Sequence, residues 1–143
     1  VLGNAAIQDS DALYKFGVKM GLAFQLQDDL LDVYGNPKVF GKNIGGDIVC
    51  NKKTYLYIKA RELADDNQNA ELDKWATYDG EDMQMKITAV KKIYDILNVG
   101  RLCRERIVSL FNEARDCLNV MSVEQERLSV LTEYVKGLID REI

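Results

Sequence analysis

Three aspartates lie close together in one short segment and are the most chemically informative residues of the chain. Asp28, Asp29 and Asp32 belong to the segment FQLQDDLLDVYG, residues 24–35. Asp28 and Asp32 are four residues apart, so on a helix their carboxylates project from the same face, with Asp29 beside them. Carboxylates held this close repel one another and lose hydration, and a divalent cation would relieve both costs. Because every ligand is an oxygen, Mg²⁺ is the ion we expect.

A solvated helix face is the alternative interpretation of these acids. Positions three and four residues on either side of them hold no lysine or arginine, and the nearest cations in the sequence are Lys19 and Lys38. Distant helices could still supply the positive partners. This segment by itself leaves a metal site and a solvated face both open.

A glycine-rich loop that carries lysines follows the aspartates and adds a second functional signal. The segment FGKNIGGD, residues 40–47, contains three glycines and Lys42, and Lys52 comes five residues later. Lysines bind phosphate oxygens as point charges, glycines allow close backbone approach, and Mg²⁺ bridges phosphate to carboxylate. The two segments together favour a site for a phosphate group, although the loop is not a GxxxxGK[ST] P-loop.

The composition excludes several kinds of chemistry. The chain has 143 residues, 47% of them hydrophobic, and a net charge of −4, which argues against nonspecific binding to nucleic acid or to an anionic membrane surface. It contains no histidine, which excludes Ser-His and Cys-His catalysis and His-containing zinc sites. No stretch approaches the roughly 18 apolar residues of a membrane span. Three widely spaced cysteines favour a reduced compartment, and a cytoplasmic location is expected.

The hydrophobic pattern is helical almost throughout and predicts a single all-α domain, a packed array of helices over residues 1–143. A long first helix should begin near Asp9 and end near Val33. Polar residues 65–82 indicate a surface connection, with a short helix around Leu72 to Trp75. A second helix is predicted over residues 51–64. Three more amphipathic helices follow in the second half of the chain, and a capping box at Ser122 to Gln125 precedes the last of them.

The two functional segments resemble the second aspartate-rich motif region of the trans-isoprenyl diphosphate synthases, also called polyprenyl synthetases. That family's pattern is roughly GxxFQxxDDxLD followed by GKxxGxDxxxxKxT. Thirteen positions match it: Gly21, Phe24, Gln25, Asp28, Asp29, Leu31, Asp32, Gly41, Lys42, Gly45, Asp47, Lys52 and Thr54. The resemblance is strong over residues 17–56 and looser in the helices that follow. It implies that the chain has the fold of the C-terminal half of an isoprenoid synthase.

The resemblance also implies a prenyltransferase that joins an allylic prenyl diphosphate head-to-tail to isopentenyl diphosphate. Asp28, Asp29 and Asp32 would then ligate the Mg²⁺ that bridges to the allylic diphosphate. Lys42 and Lys52 would bind that diphosphate and stabilise it as it leaves.

Two further residues receive roles from the resemblance. Phe24 would line the pocket near the reacting double bond, and Gln25 would orient substrate through its amide. The family's first aspartate-rich motif lies upstream, and nothing from Val1 to Lys19 matches it. We therefore expect the C-terminal part of a longer synthase, with little activity alone and a homodimer in the full-length enzyme.

Two other functions stay open at this point. One is a noncatalytic helical subunit that regulates or completes a partner prenyl synthase. The other is an all-α, Mg²⁺-dependent lyase of diphosphates that resembles a terpene cyclase. Product analysis would separate the second from a synthase.

Overall fold

Helices make up the regular secondary structure of the part of the chain that is described. The computed structural model describes residues 6–36, 44–123 and 125–139, and within these ranges it contains helices and no strand. The helices are α1 (Ile7–Tyr34), α2 (Gly46–Val49), α3 (Tyr55–Leu63), α4 (Asp66–Ala76), α5 (Met83–Ile96), α6 (Val99–Asn119) and α7 (Gln125–Ile139). The predicted all-α fold is confirmed.

The described residues form two compact units, and α1 and α6 each contribute to both. The first unit contains residues up to Gln25 and from Glu105 onward, and the second contains Leu26–Arg104. The expectation of a single domain therefore stays a prediction. None of the helices in the described ranges combines the length and the apolar character that crossing a bilayer requires.

The first unit is built from one part of α1, one part of α6 and all of α7. Phe24 of α1 meets Phe111 of α6 edge-on, with ring centroids 6.1 Å apart. Lys19 donates to the carboxylate of Glu113, which links the same two helices. The buried apolar side chains of this unit are Ala12, Phe16, Met20, Ala23, Ile107, Leu110, Phe111, Ala114, Leu118, Leu128 and Val135.

The second unit is organised around α5, which packs against α2, α3 and α4. Its core combines side chains from most of the helices between α1 and α6, so the residues around the aspartates rest on a packed interior. The buried apolar side chains of this unit are Leu30, Val33, Ile48, Leu56, Ala60, Leu72, Trp75, Val90, Ile93, Tyr94, Val99 and Cys103.

The polar stretch from residue 65 to 82 is mainly a helix, which corrects its interpretation as a surface connection. The side chain of Asp65 accepts from the backbone N–H of Gln68, and the Gln68 side chain accepts from the Asp65 backbone N–H. This capping box starts α4, an 11-residue helix. Leu72 and Trp75 are buried beneath its polar surface. The short helix predicted around Leu72 to Trp75 is therefore longer than expected, because a helix face with few apolar residues gives a weak periodic signal.

Two other predicted helix starts are also corrected. The helix predicted from Asn51 begins at Tyr55, after Thr54 has capped it by accepting from the Tyr57 backbone N–H. The helix predicted to follow a capping box at Ser122 begins at Gln125, and the Ser122 side chain and backbone N–H both donate to Asp9. The Gln125 side chain of that predicted box lies outside the described part of the chain. Asp9 itself lies inside α1, which begins two residues earlier.

Candidate functional site

Helix α1 places the three aspartates on neighbouring turns and gives each a different environment. Asp28 is exposed, Asp29 is buried with 4% of its surface accessible, and Asp32 is half-buried. The predicted helix through these residues is confirmed, and it continues to Tyr34. Their side chains therefore differ in how readily each can meet a ligand from solution.

Lys52 supplies a positive partner to the buried aspartate. Its Nζ lies 2.9 Å from Oδ1 of Asp29 and 3.0 Å from Oδ2 of Asp47. The sequence left open whether a distant segment supplies a cation to these acids, and for Asp29 it does, because the partner comes from 23 residues further along the chain. A search of neighbouring sequence positions cannot detect a contact that the tertiary fold creates.

Asp32 fastens the loop before α2 to α1. Its Oδ2 accepts from the backbone N–H of Asp47 at 2.9 Å, and its backbone carbonyl accepts from the N–H of Gly45 at 2.7 Å. Gly45 has a φ of 90°, where a side chain is strained. Burial raises the pKa of Asp32, and the nearby charge of Asp47 raises it further, although the hydrogen bond from Asp47 opposes both. The half-buried carboxylate thus gives α2 an N-terminal acceptor.

The backbone around Lys52 holds the start of its side chain in place. Its N–H donates to the carbonyl of Asp47 at 2.9 Å, and its carbonyl accepts from the N–H of Thr54 at 2.9 Å. Hydrogen bonds to Asp29, and secondly to Asp47, raise the pKa of Lys52 well above its ordinary value. The ammonium therefore stays charged at neutral pH, while 46% of the side chain is accessible.

Phe24, Gln25 and Lys42 are the three other predicted residues. Phe24 and Gln25 belong to the first unit, where both are exposed, and Phe24 rests against Phe111. Lys42 lies outside the described residues. Asp47, in contrast, was matched as part of the motif without a role, and the structure shows that it shares the ammonium of Lys52. Its spacing after the glycines was the available signal.

The carboxylates of the described residues offer a small donor set to a divalent metal. Among the residues that the structure describes, no three His, Cys, Asp or Glu side chains converge on a point that could hold an ion. Mg²⁺ at phosphate sites is usually held by one or two carboxylates together with phosphates and water. Exposed Asp28 and half-buried Asp32, one turn apart, fit this smaller donor set, whereas Asp29 is shared with Lys52.

Comparison with known proteins identifies relatives along most of the chain. The family model described as Polyprenyl synthetase matches residues 1–97. A geranylgeranyl pyrophosphate synthase of Geoglobus acetivorans is 33% identical over 92% of this chain and 38% of its own length. A chloroplastic monoterpene synthase of Artemisia spiciformis is 32% identical over 84% of this chain and 30% of its own length.

The solved structures agree with the sequence comparison. A crystal structure of a geranylgeranyl pyrophosphate synthase superimposes with a TM-score of 0.83 and 32% identity, covering 96% of this chain and 43% of that one. The chain thus spans less than half the length of each of these proteins.

Proposed function

This chain belongs to the polyprenyl synthetase family, and from that premise we propose that it carries a diphosphate-binding site of a prenyltransferase. The proposed reaction joins an allylic prenyl diphosphate head-to-tail to isopentenyl diphosphate. The observation that carries the proposal is the ammonium of Lys52, held 2.9 Å from Asp29 and 3.0 Å from Asp47 while nearly half of its side chain stays accessible. A fixed and accessible cation beside carboxylates suits an anionic ligand that arrives with a metal.

Asp28 and Asp32 are the residues that we propose to hold Mg²⁺, with Asp29 as a third ligand of the set. Bound Mg²⁺ supplies Lewis-acid neutralisation of the diphosphate charge. Asp28 is exposed and free to turn toward such an ion, and Asp32 is half-buried at the start of α2. The roles that the resemblance assigns to Phe24 and Gln25 remain predictions.

The chemistry proposed for Lys52 follows from where charge develops. When the C–O bond of the allylic diphosphate breaks, its electron pair leaves with the diphosphate, whose negative charge rises. A fixed ammonium stabilises that charge more strongly in the transition state than in the ground state. The new carbon–carbon bond forms to isopentenyl diphosphate, and the proton it loses can pass to the departing diphosphate. The reaction therefore needs no histidine, and this chain has none.

Ligand binding by the chain itself is the first experiment. Isothermal titration with inorganic pyrophosphate in the presence of Mg²⁺ should give saturable binding. Lys52→Met and Asp28→Asn should each weaken it at least tenfold, a loss of about 1.4 kcal/mol. Lys92→Met, which removes an exposed lysine from α5, is the matched control and should bind as the wild type does. Failure of the wild type to bind would contradict the proposal.

A chimera tests the reaction. In it, this chain replaces its matched segment in the Geoglobus acetivorans synthase, and incorporation of isopentenyl diphosphate into longer prenyl products is measured. Elongated products that disappear with Lys52→Met would support a prenyltransferase. The relationship to a monoterpene synthase favours a diphosphate lyase as the second candidate, and release of a hydrocarbon or alcohol without elongation would identify it.

The assembly of the full-length enzyme is part of the same proposal. We expect a homodimer, and sedimentation of the chimera measures its mass directly. A second outcome would favour a noncatalytic subunit: a chimera that is inactive alone but raises the activity of an added prenyl synthase.

A further inference from the structure

Lys86 is a buried lysine that the proposed chemistry does not use. It lies on α5 with only 2% of its surface accessible. Its Nζ donates to Oδ1 of Asn51 at 2.8 Å and to the backbone carbonyl of Val49 at 3.2 Å. Both acceptors are neutral amide oxygens at the end of α2. Burial of an ammonium is costly unless its hydrogen bonds are satisfied, so these two contacts are what make its position tolerable.

The surroundings of Lys86 show that its stem belongs to the core of the second unit. It lines a cavity of about 20 Å³ with the apolar side chains of Leu72, Trp75 and Val90. Lys52 also lines this small cavity. Both lysines thus border the same small cavity, Lys86 from α5 and Lys52 from the segment that follows α2.

Asn51 connects the buried lysine to the site. It has a φ of 54°, in the left-handed region that asparagine tolerates better than most residues. Its amide nitrogen donates to the carbonyl of Ala76 at 3.0 Å, while its amide oxygen accepts from Lys86. A donor on one side and an acceptor on the other fix the orientation of this amide. The next residue in the chain is Lys52.

We propose that Lys86 is a positioning residue that holds Lys52 in place through Val49 and Asn51. Its ammonium satisfies the last carbonyl of α2 and fixes the left-handed turn from which Lys52 leaves. The side chain of Lys52 is thereby directed to Asp29 and Asp47. The consequence for diphosphate binding rests on the proposed function, whereas the placement of Lys52 does not.

A double-mutant cycle tests whether Lys86 acts through Lys52. Lys86→Met keeps the length and apolar stem of the side chain and removes the ammonium, and Lys92→Met is the control on the same helix. We expect Lys86→Met, in an otherwise wild-type chain, to weaken Mg²⁺-dependent pyrophosphate binding about tenfold. In a Lys52→Met background, the same substitution should change the affinity by less than about twofold. Equal losses in both backgrounds would show a general structural effect and overturn the proposal.

A spectroscopic measurement covers the case in which pyrophosphate does not bind. The ammonium of Lys52 should give a proton–nitrogen correlation in a lysine-selective spectrum, because its contacts with Asp29 and Asp47 slow proton exchange. Lys86→Met should broaden or shift this signal, and Lys92→Met should leave it unchanged. An unchanged Lys52 signal in Lys86→Met would refute the positioning role even if the proposed function were correct.

A second variant keeps the test decisive if Lys86→Met does not fold. Asn51→Gly accepts the left-handed backbone without strain and removes the amide that Lys86 contacts. It should reproduce the change in the Lys52 signal. A folded Asn51→Gly protein with the wild-type signal would also overturn the proposal.

Discussion

Lys52→Met should destabilise the ligand-free protein and make its stability respond to Mg²⁺. The ammonium of Lys52 contacts Asp29 at 2.9 Å and Asp47 at 3.0 Å. Methionine has a similar length and no charge, so the substitution removes the positive charge that the two carboxylates share. Asp29 would then remain in its buried position without the ammonium.

The magnitude follows from the exposure of the two partners. Removing one member of a buried ion pair costs about 3–5 kcal/mol, whereas an exposed pair contributes about 0–1 kcal/mol. The side chain of Asp29 is 6% accessible and that of Lys52 is 46% accessible, so the pair is intermediate. We expect the free energy of unfolding to fall by about 2 kcal/mol. For a chain of this size, Tm should fall by about 7 °C.

Thermal unfolding with and without Mg²⁺ is the assay, with a sodium salt of equal ionic strength as the comparison. The wild type should gain little from Mg²⁺ alone, because the ammonium of Lys52 already contacts an oxygen of each carboxylate. Lys52→Met should recover a substantial part of its lost Tm, because a divalent cation can take the place of the ammonium. Lys92→Met should match the wild type in both salts.

The pH of the measurement follows from the pKa of Lys52. Its contacts raise that pKa, so the folded protein holds the proton more tightly than the unfolded protein. The contribution to stability is therefore complete below about pH 10, the ordinary lysine value, and declines as the pH rises further. Neutral pH is suitable. A Lys52→Met protein as stable as the wild type at neutral pH, or one indifferent to Mg²⁺, would refute the electrostatic account of this group.

Four further predictions concern other parts of the chain. Gly45→Ala should lower the free energy of unfolding by about 2 kcal/mol, since φ is 90° and the new Cβ would meet an isoleucine of α5 at 2.7 Å. Gly137→Ala should raise the free energy of unfolding by about 0.5 kcal/mol, because a Cβ at this helical position would meet no other atom. Denaturant titration measures both of these changes. Glu113 has its pKa lowered to about 2 by hydrogen bonds from a lysine, an arginine and a serine, so the Tm advantage of wild type over Glu113→Gln should disappear as the pH falls from about 4.5 to about 2. Burial raises the pKa of Cys103 to about 12, so iodoacetamide should leave it unmodified in the folded protein while alkylating exposed Cys50, as mass spectrometry would show.

Most of the helices, and the shared helix face of the aspartates, were predictable because both depend on residues that are close together in the sequence. Hydrophobic periodicity indicates α1, α5, α6 and α7, and an i, i+4 pair of acids necessarily shares a helix face. Helix α4 was harder to recognise, although the pair Asp65 and Gln68 has the spacing of a capping box. A polar segment with two buried residues, Leu72 and Trp75, resembles a loop until the packing of α5 is known.

The contacts that organise the site could not be predicted because they join distant positions. Lys52 reaches Asp29 across 23 residues, and Lys86 reaches Asn51 across 35. The contact between Ser122 and Asp9 spans 113 residues. In each case the local sequence offers a suitable polar group, and only the packing of helices selects its partner.

The ion pair between Lys52 and Asp29 is compatible with a role for both residues in binding a metal and a diphosphate. The carboxylates of Asp29 and Asp47 share this one ammonium, so the group keeps a single net negative charge. A diphosphate alone would bring negative charge toward these acids, and a metal alone would compete with the ammonium for the same oxygens. A metal and a diphosphate arriving together offer the carboxylates a cation and Lys52 an anion. On the proposed function, the ion pair of the ligand-free chain therefore favours joint binding over the binding of either component by itself.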